Sequence, residues 1–262
     1  MIGAIIGDVV GSRFEFNNIK TKEFTLTTKE SKFTDDSVLT IAVMDILLSK
    51  DLSNDNIVNT IIKWVKKYSY AGYGNRFINW VYHDAEHRPY NSCGNGSAMK
   101  ISPVAYVAKN IEEVIELSDK ITKVTHNHPE GMKGARVCAV CVYMALHNET
   151  KEKIKEYILE QYPEVNDLNY QELVRSYYHG LETCQASMPQ ALYCFLISNS
   201  FEDCLRTTIS IGGDCDTTAA ISCAIAEAYY KHIDTLLLEQ IKNMLTPEML
   251  KIVDLFGKEY NN

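Results

Sequence analysis

Two acidic corners hold the residues whose types and spacing could do chemistry: Phe33-Thr34-Asp35-Asp36-Ser37 and Gly212-Gly213-Asp214-Cys215-Asp216-Thr217-Thr218. Each stands directly before a strongly apolar helical pattern. Asp, Thr and Ser are favoured helix N-caps and suit the positive end of a helix. A cap needs only one such residue, whereas each corner supplies two carboxylates plus hydroxyls. Side chains one or two positions apart diverge on a helix, so these must sit on the turn, where they can converge. If the two helix starts meet, Asp35, Asp36, Asp214 and Asp216 share one small volume with the hydroxyls of Thr34 and Thr217. Uncompensated carboxylates that close repel and raise one another's pKa. A hard divalent cation removes that conflict, and an all-oxygen ligand set suits Mg²⁺, Mn²⁺ or Ca²⁺ rather than zinc or copper. So many carboxylates exceed what one Mg²⁺ usually takes, which points to two ions. Gly212-Gly213 would let the backbone bend tightly behind the ligands. The pattern alone leaves two readings open: a metal centre, or helix capping with surface charge.

Other segments carry weaker signals. Ser92-Cys93-Gly94-Asn95-Gly96-Ser97-Ala98-Met99 is a loop of small residues opening into a helix. It can offer backbone N–H groups to a phosphate, although a plain turn is the simpler reading. Glu15 follows a segment with Gly3, Gly7 and Gly11 on one helical face, and it could reach the acidic centre or simply lie on the surface. In Thr125-His126-Asn127-His128-Pro129 a histidine at a helix end is either a cap or a ligand contact. His126, His128, Cys138 and Cys141 offer four zinc-type ligands, but Cys138 and Cys141 fall within a continuous apolar run that reads as a buried helix, so core packing is the expectation.

The elements that must position these residues are helical. Apolar periodicity marks helices over 2–11, 37–49, 54–68, 98–109, 111–124, 131–147, 151–161, 170–180, 189–198, 201–211, 217–232 and 233–245. Glycines at i, i+4 and i+8 in the first of these let another backbone come close, at a cost of about 1 kcal/mol of helix propensity each. Residues 17–33 read as a loop with a short extended piece at 25–28. Residues 70–97 read as one long loop, and residues 16–32 and 70–92 are expected to build the rim of the cleft. No repeat, low-complexity stretch or linker divides the chain, so a single all-α domain over 1–262 is expected. The formal charge of −8 argues against binding nucleic acid through bulk electrostatics. No apolar run approaches the roughly 20 residues that cross a bilayer. The first residues lack a basic stretch and Asp8 interrupts their apolar run, so a cytoplasmic protein with reduced thiols is expected. Nothing suggests a coiled coil or an edge strand, and a monomer is expected.

Together and in this order, the motifs resemble the ADP-ribosylglycohydrolase family, including its dinitrogen-reductase-activating and ADP-ribosylserine-hydrolysing branches. The likeness covers GAIIGDVVGSRFE at 3–15, FTDDS at 33–37, GNGSAMK at 94–100, TH at 125–126 and SIGGDCDTTAA at 210–220. It implies an all-α fold, two Mg²⁺ (or Mn²⁺) ions in a cleft, and hydrolysis of the bond joining C1″ of ADP-ribose to an acceptor, the substrate being an ADP-ribosylated protein or a related conjugate. Thr34, Asp35 and Asp36 match the family's first metal-binding segment, and Asp214, Asp216 and Thr217 its second. Glu15 matches the glutamate that lies at the metal centre in the serine-directed branch, which makes it the first choice for proton work, with Asp35 or Asp36 next. Gly94, Asn95, Gly96 and Ser97, with Ser92 at their start, match the segment cradling the diphosphate and distal ribose. His126 matches a histidine beside bound ADP-ribose. Ser37 replaces the more usual Thr, Lys100 stands where Arg is common, and Cys93 occupies the place of an adenine-stacking tyrosine, leaving Tyr90 and Tyr73 as candidates for that role. Two rival readings remain: a two-metal hydrolase of another nucleotide or phosphorylated small molecule, and a catalytically silent ADP-ribose binder.

Overall fold

The structure is a computed structural model that describes residues 1–176 and 182–260. Every regular element among these residues is a helix, apart from an isolated antiparallel bridge between Gly94 and Thr183. The α-helices run in the order α1 (Gly3–Gly11), α2 (Asp35–Ser49), α3 (Asn54–Lys67), α4 (Asn75–Tyr82), α5 (Val104–Val107), α6 (Ile111–Thr122) and α7 (Pro129–Leu146). They continue with α8 (Lys151–Gln161), α9 (Tyr170–Arg175), α10 (Cys184–Ile197), α11 (Phe201–Ile211), α12 (Cys215–Tyr230), α13 (Thr235–Met244) and α14 (Pro247–Tyr260). The fold is all-α, as the periodicity requires.

The helices start where the caps are. Ser53, Asn110, Thr150, Ser200 and Asp234 each accept a hydrogen bond from a backbone N–H in the first turn of the helix that follows. The centre of the molecule is α12, whose residues are buried almost without a break. It packs against α1, α7, α10 and α11.

The α1–α12 contact is made at backbone distance. A Cβ on Gly3 would stand 2.4 Å from the Cys223 carbonyl oxygen, one on Gly7 2.3 Å from that of Ala219, and one on Gly11 2.6 Å from the Cα of Asp216. The glycine stripe therefore sets the register that brings the end of α1 beside the start of α12. From α12, Glu227 reaches back to accept from the N–H groups of Ile2 and Gly3, at 3.1 and 2.6 Å.

Several expected boundaries move. The helix expected at 98–109 is a 3₁₀ turn at Asn95–Ser97 followed by the single turn of α5, because Pro103 cannot continue a helix from Ser102 and instead starts a new one. The helix expected from 189 begins at Cys184 with Pro189 inside it, at the expense of one intrahelical bond. Of the helix expected over 170–180, α9 ends at Arg175, and 177–180 lie outside the described residues. Residues 70–97 contain α4, which buries Phe77, Trp80 and Val81, and α14 was not expected. Residues 25–28 form no strand. The eight cysteines are unpaired thiols, and Cys138 and Cys141 are buried in α7 as core residues rather than ligands. No helix among the described residues is long and apolar enough to cross a membrane.

Candidate active site

Asp8 is the one charged side chain of α1, and it is completely buried. Its carboxylate accepts from the backbone N–H groups of Thr34 and Ser37, at 2.9 and 3.0 Å, and from the Thr34 hydroxyl at 2.7 Å. The Ser37 hydroxyl donates to it as well. An anion has thus been placed on the N–H groups at the start of α2, where the helix dipole favours negative charge. This arrangement shows how the capping of the first corner is divided. Thr34 and Asp8 do the capping, and Asp36 is left over. Asp36 is buried, and its Oδ1 has no hydrogen-bond partner among the described residues.

The second corner is built by a turn with positive φ at Gly212 (78°) and Gly213 (79°), a backbone that side-chain-bearing residues rarely adopt. Asp214 precedes α12 but makes no capping bond there. Its Oδ2 instead accepts from the Asn95 side-chain amide at 2.6 Å. Asp216 accepts from the Thr217 N–H at 3.0 Å. The Thr217 hydroxyl donates to Asp36 Oδ2 at 3.2 Å, so the two corners, 181 positions apart in the chain, are in direct contact.

Five carboxylates form two overlapping triads. Asp8, Asp36 and Asp216 each offer an oxygen within 4.8 Å of the others, and so do Glu15, Asp214 and Asp216. Asp35 belongs to neither. It is half-buried, and its backbone N–H bonds the Ala71 carbonyl at 2.9 Å. Burial pushes up the carboxyls of Asp8, Asp36 and Asp216, and neighbouring carboxylates reinforce it for Asp36 and Asp216. For Asp8 burial acts alone, against the four hydrogen bonds that favour its charged form. Glu15 rises to about 7 through burial and then Asp214, and Asp35 to about 8 through burial and then Asp8. Buried carboxylates this crowded are costly unless something positive compensates them. The residues present fit a hard divalent cation. All donors are oxygens, two triads share Asp216, and a buried carboxylate oxygen of Asp36 is unused.

The small-residue loop lies beside this centre. Gly94 and Gly96 face the His126 ring, so that a Cβ on either would stand 3.5 or 3.3 Å from Nε2. His126 is buried with Nδ1 2.7 Å from the Thr125 hydroxyl, and burial lowers its pKa well below the usual value, so it is neutral. Ser92 Oγ accepts from the Gly94 N–H at 3.2 Å, and Ser97 Oγ donates to the Gly94 carbonyl at 3.1 Å. Lys100 is buried behind the loop and donates to the Gly96 carbonyl. Burial lowers its pKa to about 8. Tyr90 lies 6.3 Å from His126, ring centre to ring centre, with the Arg76 guanidinium 5.1 Å from its own ring. Next to them opens a cavity of about 380 Å³ lined by Arg76, Trp80 and Tyr90 among others. Tyr73 is buried against Phe77 instead.

The structure therefore brings together Glu15, Thr34, Asp36, Asp214, Asp216 and Thr217, sets the Ser92–Ser97 loop and His126 alongside, and leaves Asp35 at the margin. The sequence reading missed Asp8. The available signal was a lone carboxylate inside an apolar helix, since such a group is almost never buried without partners.

A model of the ADP-ribosylglycohydrolase family matches residues 1–262. The chain is 26% identical to ADP-ribosylhydrolase ARH3 of Mus musculus, over 88% of this chain and 82% of that protein. It is 24% identical to ADP-ribosyl-[dinitrogen reductase] glycohydrolase of Rhodospirillum rubrum, over 87% of this chain and 83% of that one. Among solved structures, an ADP-ribosylglycohydrolase-related protein complex superposes with a TM-score of 0.72 at 20% identity, covering 98% of this chain and 95% of that one.

Proposed function

The chain belongs to the ADP-ribosylglycohydrolase family, and on that premise we propose that it hydrolyses the bond between C1″ of ADP-ribose and an acceptor, using a two-cation centre at the meeting of its acidic corners. The observation that carries this reading is the contact of Thr217 with Asp36 Oδ2, while Asp36 Oδ1 is buried and has no hydrogen-bond partner among the described residues. A catalytically silent binder would not need to keep five crowded carboxylates.

Asp8, Asp36 and Asp216 would hold one cation and Glu15, Asp214 and Asp216 the other, with Thr34 and Thr217 beside them. When bound, Mg²⁺ or Mn²⁺ would supply charge compensation, ligation of ribose hydroxyls and a lowered pKa for water. Glu15 is assigned the proton work. The support for this is its place in the second triad beside Asp214 and Asp216; the rise of its carboxyl to about 7 belongs to the cation-free protein, and a bound cation would favour the ionised carboxylate that activates water. The transition state would have the oxocarbenium character of glycoside cleavage. Asp35, outside both triads, is the second candidate for proton transfer.

The diphosphate is assigned to the loop from Ser92 through Gly94, Asn95, Gly96 and Ser97. Asn95 ties that loop to Asp214, and His126 closes it from behind as a neutral ring. The purine is assigned to Tyr90 rather than Tyr73, because Tyr90 continues the line from the acidic centre through His126 to the cavity. Arg76 stiffens that site by donating to the Tyr90 carbonyl at 2.5 Å.

The acceptor is proposed to be an O-linked group, serine before arginine, on the strength of Glu15 standing within the second triad. The test is release of ADP-ribose from serine-linked and arginine-linked peptides and from O-acetyl-ADP-ribose, beside a simple phosphate ester, after EDTA treatment and again with Mg²⁺. The expected result is cation-dependent release, fastest from serine, with the ester untouched. Preference for the ester, or release at full rate in EDTA, would overturn the proposal.

A further inference from the structure

Three residues after Glu15, the exposed side chain of Asn18 spans two segments that are distant in sequence. Its Oδ1 accepts from the Gly213 N–H at 2.8 Å, and its Nδ2 lies 3.0 Å from the Gly213 carbonyl. The same Nδ2 lies 2.7 Å from the Phe14 carbonyl and 3.0 Å from that of Glu15. An amide group has two N–H bonds, and here they serve three carbonyls, while its oxygen serves the facing N–H. One side chain therefore reads both backbone groups of Gly213 and holds the backbone of Glu15 against them.

The turn is shaped to admit it. A Cβ on Gly212 would stand 2.9 Å from Asn18 Oδ1 and 2.6 Å from Lys20 Nζ. Lys20 donates to the carbonyl of Ile211, on the other flank of the same turn. Segment 15–20 thus grips the Gly212-Gly213 turn from both sides. That turn carries Asp214 and Asp216, and Glu15 must meet those two residues to form its triad.

We infer that Asn18 is a positioning residue that registers Glu15 against the Gly213–Asp216 turn and so assembles the second triad. This rests on the reading of that triad as part of the hydrolytic centre. Asparagine is the residue type that fits. Aspartate would keep the acceptor but set a carboxylate oxygen against three carbonyls, and glutamine would carry the amide one methylene too far.

The test is a double-mutant cycle in the full chain between position 18 and Glu15, using N18D and N18A each alone and combined with E15Q. Because Asn18 is exposed, N18A opens no core cavity, and N18D is nearly isosteric in case alanine disturbs the loop. Two quantities are read: kcat on whichever ADP-ribose conjugate the enzyme turns over fastest, and the Mg²⁺ dissociation constant by calorimetry without substrate. In the wild-type background, both N18 variants should lower kcat about 10- to 100-fold, the range for a residue that orients a metal-site ligand. They should weaken Mg²⁺ by a similar factor, with KM and thermal midpoint little changed. In the E15Q background, both effects should shrink to within about threefold, because residues acting through one another are not additive. Equal effects in both backgrounds, or N18 variants with wild-type kcat, would overturn the inference. An E15Q enzyme with wild-type kcat would instead overturn the role given to Glu15, and this inference with it.

Discussion

Asp8 and Asp36 are chemically alike and lie in the same cluster, yet they hold opposite places in it. Asp8 accepts from four donors, while one oxygen of Asp36 accepts from none among the described residues. Asp8→Asn would turn an amide toward backbone donors and should destabilise the protein by about 1–3 kcal/mol. Asp36→Asn removes a buried charge that has little compensation and should raise the thermal midpoint of the metal-free protein. The same Asp36→Asn change should abolish most of the midpoint gain on adding Mg²⁺ and lower kcat by at least about 100-fold. Differential scanning with and without EDTA separates the two variants, and a drop in metal-free stability for Asp36→Asn would contradict this division of roles. At the other end of the cleft, Tyr90→Ala should raise KM roughly tenfold or more with kcat nearly unchanged, because stacking a base binds ground state and transition state alike. The carboxylates of both corners were legible in the sequence because their excess over capping needs no structure to notice. Asp8 was not, because its partners come from a corner 26 positions away.

At the scale of elements, the site depends on how closely α1 can approach α12. A methyl group on Gly7 would meet the Ala219 carbonyl oxygen at 2.3 Å, and a backbone atom cannot rotate aside. Gly7→Ala should therefore cost about 1–3 kcal/mol in urea unfolding, as overpacking does. It should also lower activity, since any separation of α1 from α12 moves Asp8 and Glu15 together. An unchanged unfolding midpoint would show that the approach is looser than described. The glycine stripe made this contact legible in advance. The α4 helix was hidden because Gly72, Gly74 and Asn75 sit at its start and Asp84 just past its end, and punctuation that dense reads as loop. The stretch 98–109 failed in the other direction: its apolar residues satisfy a helical period, but Pro103 divides them and tertiary burial of Ile101 and Val104 does the rest.

For the whole molecule, the carboxylate cluster couples folding to pH. A carboxyl whose pKa is raised by folding binds its proton more tightly in the native state than in the unfolded chain. Its contribution is most favourable below the unfolded value of about 4, declines as pH rises, and is fully lost above the folded value. Glu15 at about 7 and Asp35 at about 8 place the last part of that decline between pH 6.5 and 8, with Asp8, Asp36 and Asp216 raised in the same direction. The thermal midpoint in EDTA should therefore fall between pH 6.5 and 8, by about 2–4 °C per kcal/mol lost. Mg²⁺ should raise the midpoint more at pH 8 than at pH 6.5, because a cation replaces the protons. A midpoint in EDTA that is flat or rising over this interval would contradict the burial of uncompensated charge.

The most direct measurement is anomalous scattering from crystals grown with Mn²⁺. The expected result is two manganese peaks, one among Asp8, Asp36 and Asp216 and one among Glu15, Asp214 and Asp216. Crystals that bind manganese elsewhere, or show no peak between these carboxylates, would contradict the account.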